Sequence, residues 1–92
     1  MEMMVILMKK VQVKEINNYV YTLITDDNKT YDINIEFYDT SVDIGDYIFI
    51  DDKVLEETNL YAYGPIKENN DPEDLIKIVK DDKEIYLQRY YG

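Results

Sequence analysis

Thr30-Tyr31-Asp32-Ile33-Asn34-Ile35-Glu36-Phe37 alternates without a break: Tyr31, Ile33, Ile35 and Phe37 stand at a spacing of two, with polar residues between them. Successive side chains of a strand point to opposite faces, so this pattern supplies one apolar face for a core and one wetted face. That is the habit of antiparallel sheet rather than of the doubly buried parallel kind. The rest of the chain is read outward from this strand.

Upstream, Tyr19-Val20-Tyr21-Thr22-Leu23-Ile24-Thr25 reads as a strand joined to the first by a polar hairpin loop, Asp26-Asp27-Asn28-Lys29. Asn17-Asn18 reads as a turn, because asparagine tolerates positive φ. Residues from Val5 to Ile16 are rich in β-branched side chains, and Val11 and Val13 alternate with Gln12 and Lys14, so they form a further strand. Downstream, a loop from Tyr38 ends at Gly45, and Asp46-Tyr47-Ile48-Phe49-Ile50 is a short, almost wholly apolar strand. Asp51 is placed to cap a helical turn over residues 52–57, with an acid early, where the helix dipole favours it. Leu60-Tyr61-Ala62-Tyr63 is a short strand closed by Gly64-Pro65.

Two readings compete for the tail. Asp71-Pro72-Glu73-Asp74 has the cap, proline and acids of a helix start. The stretches Leu75–Lys80 and Glu84–Tyr90 around Asp81-Asp82-Lys83 read as two strands and a turn, and their β-branched content favours this hairpin. The sum is an all-β chain with minor α content, residues 1–92 forming a single small barrel of five to seven strands. Barrel closure would also protect the edges of so many short strands. The segment Val42-Asp43-Ile44-Gly45-Asp46-Tyr47-Ile48-Phe49-Ile50 resembles the loop-Gly-Asp-strand lead-in of small barrels. The resemblance implies an OB-fold-like barrel first and an SH3-like barrel as the alternative, and neither fold carries a function with it.

A chain of 92 residues buries only about 60–65% of the surface that it exposes when unfolded, so its interior is thin. Cysteine and histidine are both absent. That removes thiolate and imidazole nucleophiles and bases, disulfides, and the usual zinc sites. Asp26, Asn28, Thr30 and Asp32 alternate like the first ligands of a calcium loop. Tyr31, however, stands where such a loop needs glycine, and Phe37 where it needs a bidentate acid. The adjacent acids Asp51-Asp52, Glu56-Glu57 and Asp81-Asp82 lack the separation across a cleft that glycosidase chemistry requires. The expectation is therefore a protein that is not an enzyme and uses no cofactor or metal.

Formal charge is −10, from 20 acids against 10 bases, which repels phosphate backbones and makes nucleic acid an unfavoured partner. Seven of the acids, Asp39, Asp43, Asp46, Asp51, Asp52, Glu56 and Glu57, fall in one stretch with a single base, Lys53, and form a candidate acidic surface. The opening Met1-Glu2-Met3-Met4-Val5-Ile6-Leu7-Met8-Lys9-Lys10 has an acid where a signal segment needs bases, and it reads as the start of a strand. No apolar run approaches the length of about 18 residues that spans a bilayer, so no membrane and a cytoplasmic location are expected.

Tyr61, Tyr63, Tyr86, Arg89, Tyr90 and Tyr91 form the candidate interaction surface, since tyrosine and arginine are enriched where proteins meet. The function expected is that of a protein–protein interaction module with another protein as partner. One alternative is OB-type binding of single-stranded nucleic acid or oligosaccharide by stacking on those tyrosines. The other is an acidic mimic of nucleic acid that occupies a basic groove on its partner. A homo-oligomer formed through the apolar start stays open as well.

Overall fold

β1 (Met8–Asn17), the longest strand, pairs with β2 (Val20–Thr25) on one side and β4 (Tyr47–Asp51) on the other, both antiparallel. The computed structural model describes residues 7–38, 41–57, 60–67 and 72–91, with only the backbone of Tyr91. Asp39, Asp71 and residues 1–6, with the start of the strand expected from Val5, lie outside the described residues, as does the Tyr91 side chain. The register against β2 shifts between Val13 and Glu15, a bulge-like irregularity in β1, while Val11 and Gln12 pair with both neighbours.

β3 (Thr30–Ile35) is the alternating stretch, and it pairs antiparallel with β2. Ile33 and Ile35 are buried, while Tyr31 and Phe37 pack more loosely against the same core. β5 (Tyr61–Gly64) lies parallel to β3, β6 (Leu75–Lys80) pairs with β4, and β7 (Lys83–Tyr91) pairs with both β5 and β6. The sheet therefore closes in the order β1-β2-β3-β5-β7-β6-β4. Its seven strands exceed the five of a simple OB barrel by the β6–β7 hairpin.

Both readings of the tail contribute. Pro72–Asp74 forms a single 3₁₀ turn, and the hairpin follows it directly. Asp81 and Asp82 sit at φ 50° and 65°, the left-handed pair that a two-residue type I′ turn requires. The first turn is Asn18-Tyr19 rather than Asn17-Asn18, with Asn18 at φ 57°. Gly45, at φ 95°, allows the chain to bond back to β1, where the Gly45 N–H donates to Val13 O at 2.8 Å.

Inward-facing Val11, Val13, Leu23, Ile48, Ile50, Ile76, Ile78, Ile85 and Leu87 fill the interior with Ile33 and Ile35. α1 (Asp52–Glu56) follows β4 and contributes buried Val54 and Leu55, while its polar residues look outward. Among the described residues no helix is long and apolar enough to cross a membrane.

Candidate functional site

Two arrangements at the α1 end of the barrel carry most of the polar chemistry. The first is internal. On β7, Ile85 and Leu87 face inward, and Arg89 shares their parity, so its side chain is directed into the barrel end and is only 10% exposed. Register places Tyr63 of β5 directly opposite Arg89. Arg89 Nη2 lies 2.7 Å from Glu57 Oε2 and donates to Glu57 Oε1 at 2.8 Å, while Nη1 lies 3.6 Å from Asp74. The Tyr63 hydroxyl donates to Glu57 at 3.1 Å, and the guanidinium lies 4.7 Å from the centre of the Tyr61 ring. Burial first, and then the Glu57 charge, pushes the Tyr63 phenol well above its ordinary range. A guanidinium flanked by two carboxylates has no charge left for an anion, so this cluster acts on structure.

What the cluster fixes is the second arrangement. Glu57 follows α1, and Asp74 ends the 3₁₀ turn. Arg89 thus ties together two segments that wall an open groove of about 440 Å3 on the outside of the sheet. Leu7, Pro72, Leu75 and Tyr86 give the groove apolar surface, and Asp52, Lys53, Glu56 and Lys77 supply its charges. Lys53 Nζ donates to the Glu73 carbonyl at 3.4 Å, a further tie between α1 and the 3₁₀ turn. Two lining residues, Lys77 and Tyr86, are held by Glu84, which lies 2.8 Å from Lys77 and accepts a 2.8 Å hydrogen bond from the Tyr86 hydroxyl. Both contacts hold the Glu84 carboxyl below the usual carboxylate range, with Lys77 the larger cause.

The expected interaction surface is divided by this geometry. Tyr63 is 1% exposed and belongs to the core, which corrects its placement on a surface: a strand of a closed barrel buries alternate residues, and Tyr63 has the inward parity. Tyr90 faces outward, but its ring lies across Gly64, its hydroxyl bonds to the Pro65 carbonyl, and Lys67 Nζ stands 4.9 Å from its centre. It fastens the chain after β5. Tyr61 is partly buried beside Arg89, and Tyr86 alone of the described set is strongly exposed and in the groove.

The expected acidic surface is also divided. Asp51 is 7% exposed because its carboxylate accepts the Lys53 N–H and caps α1, so it is not a surface acid. Glu57 is held by Arg89, and Asp46 lies 3.0 Å from Lys80 and accepts the Asp43 N–H at 2.8 Å. Asp43 is exposed, and Asp52 and Glu56 reach the groove. Although Asp51, Asp52 and Glu56 all line the groove, no three acids converge as an ion site among the described residues.

The sequence reading missed Leu7, Lys53, Leu75 and Lys77 in the groove, and also Tyr47 and Phe49, which lie exposed on the outer face of β4. Register pairs Phe49 with Val79 of β6, so this apolar strip runs towards the groove. The signal was present: 47–50 is apolar at inward and outward positions alike, and 75–79 is apolar at every position but Lys77. A strand whose outer face is apolar has something to cover it or something to bind. Comparison of the chain with protein-family models, with curated proteins and with solved structures finds no match.

Proposed function

We propose that this chain is a non-enzymatic interaction module that holds a segment of a partner protein in the groove between α1 and β6. The observation that carries the reading is the groove itself: about 440 Å3, apolar in much of its lining, with walls joined through Arg89. Prearranged walls lower the ordering cost of binding. The side chains present support contact rather than turnover, since the chain has neither imidazole nor thiol and its buried polar cluster of Arg89, Glu57 and Asp74 is closed on itself.

Stacking of bases or sugars gains little support, because Tyr63, Tyr90 and Tyr61 are occupied by the fold. The test is affinity capture on the full chain and, in parallel, on a Leu75→Ala, Tyr86→Ala double variant. Proteins retained by the wild type and lost by the variant are the expected result. The same recovered set on both, or turnover of a small molecule by pure protein, would refute the reading.

A further inference from the structure

We infer that the occupant of this groove is a basic peptide segment with an apolar anchor: a leucine- or methionine-like side chain flanked by lysine or arginine. The inference rests on the groove being the binding surface and adds the chemistry of what enters it.

The charges around the groove are not balanced. Of its two lysines, Lys77 is paired with Glu84 at 2.8 Å, whereas Lys53 donates to the neutral Glu73 carbonyl at 3.4 Å and keeps its charge. Glu56 has no ion pair among the described residues, and Asp52 has only Lys9, 4.0 Å away. Three acids in the lining, Asp51, Asp52 and Glu56, against its two lysines still leave the groove negative, on a chain whose formal charge is −10. A cation approaching the rim is attracted by both the local acids and the whole-molecule field, and an anion is repelled by both.

Apolar lining from Leu7, Leu75 and Tyr86 gives an anchor side chain exposed apolar surface to cover, which a purely charged ligand would leave unused. Flanking bases then meet Asp52 and Glu56 at the edge, where they speed encounter and set orientation. The outer strip at Phe49 and Tyr47 extends the apolar track, and Lys10 Nζ lies 4.8 Å from the Tyr47 ring centre, so the basic end of a ligand is directed towards α1 instead.

Two fluorescently labelled peptides of equal length, one alternating lysine with leucine and one alternating glutamate with leucine, are titrated against the full chain at low and at high salt. The lysine peptide is expected to bind and to weaken as salt rises, and the glutamate peptide to bind far more weakly. Glu56→Lys is expected to weaken the lysine peptide about fivefold to tenfold, and Leu75→Ala about tenfold. Glu15→Lys, at the other end of β1, changes net charge equally and is expected to leave binding within about twofold.

Equal weakening by Glu56→Lys and Glu15→Lys would reduce the effect to net charge and overturn the inference. Failure of the lysine peptide to bind would overturn it too. Tighter binding of the glutamate peptide, still lost in Leu75→Ala, would overturn the charge assignment while leaving the groove as the binding surface. If the lysine peptide binds only after residues 1–6 are deleted, the chain's own amino-terminal segment is the occupant and the inference fails.

Discussion

Arg89 on β7 and Glu57 after α1 meet through one guanidinium nitrogen, which lies within 2.8 Å of both carboxylate oxygens. The pair links the barrel wall to the helix that borders the groove, so a residue with no surface in the groove governs its shape. Arg89→Met is expected to destabilise the protein by about 2–4 kcal/mol in denaturant unfolding, because it leaves the Glu57 carboxylate partly buried without its cation. Adding Glu57→Leu should recover a large part of that loss. A double-mutant cycle measures the coupling, and strictly additive losses would show that the pair does not act as a unit.

Tyr63 gives the alkaline side of the stability profile. Its phenol is raised by burial and by Glu57, so the folded protein prefers the neutral form. An unfolded tyrosine ionises near pH 10, and stability from this group is complete below that value. It is lost progressively as pH rises from there towards the folded value, because the unfolded chain then releases a proton that the folded chain retains. Among the ten tyrosines, one is expected to resist phenolate formation until the protein unfolds. Tyr63→Phe should remove that late absorbance step; its persistence in the variant would assign it elsewhere.

Gly64 has a steric role. A Cβ built there would come within 2.9 Å of the Tyr90 ring, which lies across the glycine on its way to the Pro65 carbonyl. Gly64→Ala is expected to cost about 1–3 kcal/mol by displacing the ring. The penalty should shrink in a Tyr90→Leu background, as measured by thermal unfolding of the four proteins. An undiminished penalty would point to the backbone instead of the ring.

At the β6–β7 turn, Asp81 and Asp82 both hold positive φ. Asp82→Gly relieves that strain and is expected to stabilise the chain by about 0.5 kcal/mol, whereas Asp82→Val should cost about 1–2 kcal/mol. Denaturant midpoints of the two variants check the sign of each change.

Much of this fold was legible because its patterns are local. The alternation at Tyr31, Ile33 and Ile35, the Asp51 cap and the turn of the last hairpin depend on neighbours within a few residues; the first two stand where the sequence puts them, and the turn is Asp81-Asp82 alone, with Lys83 already in β7. The site was harder to read because it depends on closure. Tyr63 became core only when the parallel β3–β5 pair and the β5–β7 pair set its inward parity. Arg89 resembles a free surface base in the sequence, yet the same parity turns it inward, towards acids 32 residues away at Glu57 and 15 away at Asp74. The groove joins Leu7, α1 and β6, segments with no local relation, and its trace in the sequence is the outward apolar residues Tyr47 and Phe49 of β4 and Leu75 and Val79 of β6.

Backbone hydrogen exchange of the full chain, alone and bound to a protein that it captures, shows where contact is made. Protection gained in residues 51–56 and 72–77, with β2 and β3 unchanged, is the expected result. Protection confined to the outer faces of β2 and β3, with the α1 end exchanging as in the free chain, would contradict the groove as the working surface.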